Sequence, residues 1–68
     1  MKEVIRLVFW DHVIGGKEPE MCCVVGEFMH EDDLSIVVRY WSCNDKDNDE
    51  YLTVLKSTVL ARAVAKFE

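Results

Sequence analysis

Proline occurs once in these 68 residues, at Pro19, and glycine three times, at Gly15, Gly16 and Gly26. So little of either leaves no room for long flexible linkers, and a 50% hydrophobic composition is too high for a disordered chain. The three cysteines, Cys22, Cys23 and Cys43, are an odd number without a CxxC spacing. They suit free, mostly buried thiols in a reducing compartment rather than a disulfide frame or a tetrahedral zinc site. Long apolar runs are also missing. Nothing approaches the roughly 20 residues of a membrane-spanning helix, and MKEVIRLVFWDHV lacks a signal peptide's apolar core and cleavage site. The expectation is a cytoplasmic protein without a membrane anchor.

Basic residues are few as well: 8 Lys and Arg against 13 Asp and Glu, a net charge of -5. Generic binding to nucleic-acid backbones requires clustered positive charge, so that class is disfavoured. Only Lys46, Lys56, Arg62 and Lys66 gather toward the C-terminus as a local basic set. A chain this short forms one domain, residues 1–68, and buries only about 60% of the surface that its unfolded form exposes. Its stability margin is correspondingly thin.

Alternation organises the first two thirds. In EVIRLVFWDHV, residues 3–13, Ile5, Leu7, Phe9 and Val13 fall on one side, and Val4, Arg6, Val8, Trp10 and His12 on the other. The first set reads as core. Asp11 then lands on the core side at the strand's end, where it must be hydrogen-bonded or turned outward. IGGKEPE is a loop by composition. MCCVVGEFMH, residues 21–30, is too continuously apolar for a solvent-facing strand, and Gly26 inside it predicts a bulge or bend of the kind that curls a sheet into a barrel. After an acidic turn at Glu31, Asp32 and Asp33, a second strand alternates Leu34, Ile36, Val38 and Tyr40 with Ser35, Val37, Arg39 and Trp41. SCNDKDNDE, residues 42–50, is a polar connection.

YLTVLKSTVLARAVAKFE supports two readings. Leu52, Leu55, Val59, Leu60, Ala63, Val64 and Phe67 recur at helical spacing in a helix-favouring composition, which predicts an α+β fold with a C-terminal helix on a three-stranded meander. The other reading is a strand YLTVL, a turn around Lys56 to Thr58, and a strand VLARAVAKF.

Four short features resemble a group of short phage-encoded small β-barrel proteins. They are FWDH at Phe9 to His12, CCVVG at Cys22 to Gly26, the acidic turn EDD, and TVLKSTVL at Thr53 to Leu60. The resemblance implies an all-β, SH3-like or Sm-like five-stranded barrel, in which the segment around LKS joins the fourth strand to the fifth through one helical turn. The alanine-rich ARAVA tail departs from that group. Function does not follow from such a fold, because small barrels serve many unrelated roles.

The candidate site is Trp10, Asp11 and His12, with Trp41 as a second wall: stacking rings, a carboxylate and a titratable imidazole suited to a nucleobase or ribose. The plainer reading is that the tryptophans cover the barrel's open end and Asp11 caps the loop. The acidic turn Glu31, Asp32 and Asp33 is a second candidate, a negative face for a basic host protein, against the simpler role of keeping the chain soluble. Cys22 or Cys23 with His12 or His30 would form a nucleophilic pair, yet both thiols lie in the most apolar segment, and no enzyme is expected. Asp45, Asp47 and Asp49 have a calcium loop's alternate spacing but lack its sixth-position Gly and twelfth-position Glu, having Glu50 and Lys56 there. No metal or cofactor is expected.

Large residues on both faces of the strands imply cover by another subunit, hence a homo-oligomer. The functional expectation is a non-enzymatic, oligomeric phage accessory protein that counteracts host defence by sequestering a nucleotide signal or masking a host protein. Its alternatives are an Sm-like RNA-binding ring using Lys56, Arg62 and Lys66, and a structural virion-associated protein.

Overall fold

A computed structural model describes residues 2–11, 18, 20–42 and 48–67. Five strands, β1 (Lys2–Asp11), β2 (Glu20–Glu31), β3 (Ser35–Trp41), β4 (Glu50–Leu55) and β5 (Val59–Phe67), form one antiparallel sheet in the order β4-β3-β2-β1-β5. A 3-10 turn, Lys56–Thr58, joins β4 to β5. This is the all-β small barrel, and the C-terminal helix on a meander is overturned. Residues 51–67 are two strands because β5 pairs along its length with β1, from Lys2↔Phe67 to Phe9↔Val59. That long-range ladder overrides the local helical propensity of ARAVA. No helix among the described residues is long and apolar enough to cross a membrane.

The core is small and comes from three strands: Ile5, Leu7 and Phe9 of β1, Ile36 and Val38 of β3, and Val54 of β4. Cys22, Val24, Phe28, Leu52 and Val59 pack at its margin. For β1 and β3 to face each other, β2 must run through both halves of the barrel. It pairs with β1 over Glu20 to Glu27 and with β3 over Glu27 to Glu31, with a register shift between Phe28 and His30. Gly26 sits beside this changeover. A Cβ there would lie 2.5 Å from the Arg39 carbonyl oxygen and 2.7 Å from Val38 Cγ1, so β3 approaches a place where only hydrogen fits.

Several apolar residues lie outside the core that alternation assigns them to. Tyr40 is exposed because the register shifts between Arg39 and Trp41, which takes it out of phase with Ile36 and Val38. Leu34, 75% exposed, belongs to the turn before β3 rather than to the strand. Met21, Val25 and Met29 are exposed on β2, so that strand does face solvent on one side, and Cys23 is an exposed thiol rather than a buried one. Asp11 resolves its predicted conflict by turning outward. Val13 lies outside the described residues.

Replacing Gly26 with alanine forces backbone movement against Arg39 and is expected to cost about 1 to 3 kcal/mol, the usual range for overpacking. Against a total of about 3 to 10 kcal/mol for a chain of this length, urea unfolding should show a large drop in midpoint. An unchanged midpoint would refute the tight approach at this position.

Candidate functional site

Two polar knots on β2 organise the surface around the barrel. At its far end Glu31 accepts a pair of hydrogen bonds from Arg62 of β5, at 3.1 and 3.2 Å, and an ion pair from Lys56 at 2.7 Å. The turn behind it is an Asx turn: Asp32 Oδ1 accepts the amides of Leu34 and Ser35, each at 2.8 Å, and the Ser35 hydroxyl at 3.2 Å. Lys56 completes the junction, donating its amide to the Leu34 carbonyl at 2.8 Å and its Nζ to the Asp32 carbonyl at 3.1 Å. The hairpin tip is thereby fastened to the 3-10 turn and to β5.

Hydrogen bonds from Arg62 and then Lys56 bring the Glu31 carboxyl down from its ordinary 4.5 to about 2. Asp32 is lowered too, chiefly by the backbone amides of Leu34 and Ser35. Two of the three residues expected to meet a partner are thus engaged within the chain, while Asp33 is exposed. The basic residues expected of an RNA-binding ring are engaged likewise, Lys56 and Arg62 by Glu31, and Lys66 by Glu3 at 3.7 Å.

The second knot lies mid-strand. Arg39 bonds Glu27 and, at 3.2 Å, Asp49, whose side chain is only 4% exposed. The Glu27 hydrogen bond is the main reason that the Arg39 guanidinium is held above its ordinary value. Glu27, Arg39 and Tyr51 are direct cross-strand partners on β2, β3 and β4, so this knot fixes the register of three strands. Asp49 serves it, while Asp45 and Asp47 lie outside the described residues. No group of potential metal ligands occurs among the described residues.

Beside the same 3-10 turn a cleft of about 240 Å³ opens between the end of β1 and β4. Phe9, Trp10 and Asp11 form one wall; Leu52 to Leu55 and Thr58 form the other. Phe9 and Val54 belong to the core, so the floor is apolar, whereas Trp10 is 42% exposed and Asp11 stands at the rim. Asp11 is paired with Glu20 across β1 and β2, which makes this rim negative. Two of the four residues proposed from sequence therefore meet in one cleft. Trp41 is exposed but is not part of its lining, and His12 lies outside the described residues. The β4 wall and Thr58 had no signal in the sequence, because they reach β1 only through closure of the barrel.

The thiol nearest this rim is poorly suited to nucleophilic work. Burial, followed by the charges of Asp11 and Glu20, pushes Cys22 above its ordinary value, and its Sγ points to the Glu20 carbonyl at 3.8 Å. Cys43 lies outside the described residues.

Comparison with protein-family models, with curated proteins and with solved structures found no match.

The Glu31 junction makes stability depend on acid. A carboxyl held at about 2 when folded and at 4.5 when unfolded contributes fully above pH 4.5 and loses that contribution as pH falls toward 2. In urea titrations the gap between the wild-type chain and Glu31→Gln should be constant at neutral pH and should shrink over that interval. A gap independent of pH would show that the ion pairs with Lys56 and Arg62 do not stabilise the fold.

Proposed function

We propose that this chain is a non-enzymatic binding protein that sequesters a nucleotide by its base, and that it does so as a phage accessory protein acting against a host nucleotide signal. The convergence of an indole, a carboxylate and an apolar floor in the cleft between β1 and β4 carries this reading.

Size supports it first. A cavity of about 150 Å³ holds benzene, and the cleft at about 240 Å³ suits a planar heterocycle of one or two rings. Ligand clefts for whole drug-sized molecules are usually larger, about 300 to 1,000 Å³, so only the base would enter. Charge supports the same orientation. Asp11 and Glu20 repel phosphate but accept hydrogen bonds, so the base's N–H edge would face the rim and the phosphates would extend away into solvent. Trp10 supplies the stacking face.

The host-protein version of this role is less well supported, because Glu31 and Asp32 already serve the Asx turn and the junction with β5. The RNA-ring alternative meets the corresponding obstacle, since Lys56, Arg62 and Lys66 all face acidic partners within the chain.

The test uses a Trp41→Phe background, in which Trp10 is the sole indole. Titration with GMP, AMP, CMP and UMP should quench its fluorescence saturably for at least one of them. Trp10→Ala, followed by calorimetry, should weaken that binding roughly 5- to 150-fold, the equivalent of one stacking contact of about 1 to 3 kcal/mol. Asp11→Asn should weaken it while leaving the thermal midpoint in place. Absence of saturable quenching by all four at millimolar concentration would overturn the reading.

A further inference from the structure

β5 is the last strand of the sheet and is exposed along almost its entire length. Of its nine residues only Val59 is partly covered, and Leu60, Val64 and Phe67 are half exposed. Edge strands are usually blunted by shortness, proline or outward charge. This one is long, contains no proline, and has its two charges, both exposed, paired within the chain, Arg62 with Glu31 and Lys66 with Glu3. The devices that would repel a neighbouring strand are therefore largely neutralised within the chain.

The whole molecule shows the same incompleteness. Its accessible surface is 5353 Å², whereas a folded monomer of this mass is expected to expose about 4,400 Å². Its radius of gyration is 13.0 Å, against about 11 Å for a compact chain of this length. The surplus of about 900 Å² matches the roughly 800 Å² that each partner buries in a stable interface of standard size.

We propose that β5 pairs antiparallel with β5 of a second copy about a two-fold axis at Ala63, joining two barrels through a continuous sheet. The strand's sequence is complementary to itself in that register. Ala61 falls opposite Ala65, two small residues on the outer face, while Val59, beyond the register shift at Phe9, packs against the core. Leu60 faces Lys66 and Arg62 faces Val64, so no like charges stand directly opposite each other. Ala61, Ala63 and Ala65 lie on the same side as Val8, Arg6 and Val4 of β1, which in turn adjoin Cys23 and Val25 of β2. Pairing extends this outer apolar surface across the axis. It is independent of the cleft, whose lining contains no β5 residue.

The axis position gives a specific test. Ala63 would face its own copy, so Ala63→Lys places two ammonium groups together and Ala63→Glu two carboxylates. Sedimentation equilibrium of the wild-type chain should give twice the 7.9 kDa chain mass. Each variant alone should dissociate at least tenfold more readily, with circular dichroism confirming that it remains folded. An equimolar mixture of the two should recover the dimer. A monomeric wild type at all concentrations overturns the proposal. So does an assembly in which the mixture gives no recovery, which would direct attention to β5 against β4 of another copy.

Discussion

One strand has to serve both halves of the barrel, and that requirement governs the rest of the structure. A 68-residue chain cannot build two independent sheets, so β2 pairs with β1 through one half and with β3 through the other. The changeover places the Arg39 carbonyl where a side chain at position 26 would otherwise be. With glycine there, Ile5 and Leu7 of β1 come to face Ile36 and Val38 of β3, and a core exists. A bulkier residue would hold the two halves apart. The register shift just beyond, between Phe28 and His30, adds the local twist that a turning strand needs.

Closure is completed by side chains more than by backbone. The ladder runs continuously from β4 to β5 but does not join its ends. Instead Arg62 of β5 and Lys56 of the connecting turn converge on Glu31, while the Lys56 amide bonds the Leu34 carbonyl. A bidentate guanidinium–carboxylate pair fixes direction as well as distance, which suits it to holding β5 at a set angle. It also explains the three residues LKS and their neighbour Thr58, whose hydroxyl caps the turn on the Leu55 carbonyl at 2.7 Å.

Much of this architecture was legible because alternation is a local property. Ile5, Leu7 and Phe9, or Ile36 and Val38, announce their face within a few residues, and Gly26 announces a bend by interrupting an apolar run. Alternation misleads where a strand gains a residue. Tyr40 sits at such a shift and leaves the face that Ile36 and Val38 share. The C-terminal third was readable in two ways because Leu52, Leu55, Val59 and Val64 satisfy helical spacing, whereas their pairing partners are distant in sequence, Val38 and Ser35 on β3 for the first two and Phe9 and Ile5 on β1 for the last two. The candidate site was legible by half for a related reason. Trp10 and Asp11 are neighbours in sequence, but Leu52 to Leu55 and Thr58 join them only after the sheet has curled.

Incomplete closure also connects the two surfaces to which a binding role and an assembly role are assigned. Where β1 ends against β4 without backbone pairing, side chains of Phe9, Trp10 and Leu52 leave an open cleft instead of a ladder. Where β5 continues along β1, its outer edge has no strand beside it in the sheet order. A fully closed barrel of five strands would abolish both, since a β4–β5 ladder would consume the free edge and draw β4 away from the end of β1. The Glu31 junction therefore does more than add stability. By holding β5 to the hairpin tip through a side-chain contact, it fastens the barrel at one corner and leaves β4 free to form the cleft wall, and β5 free to meet another chain.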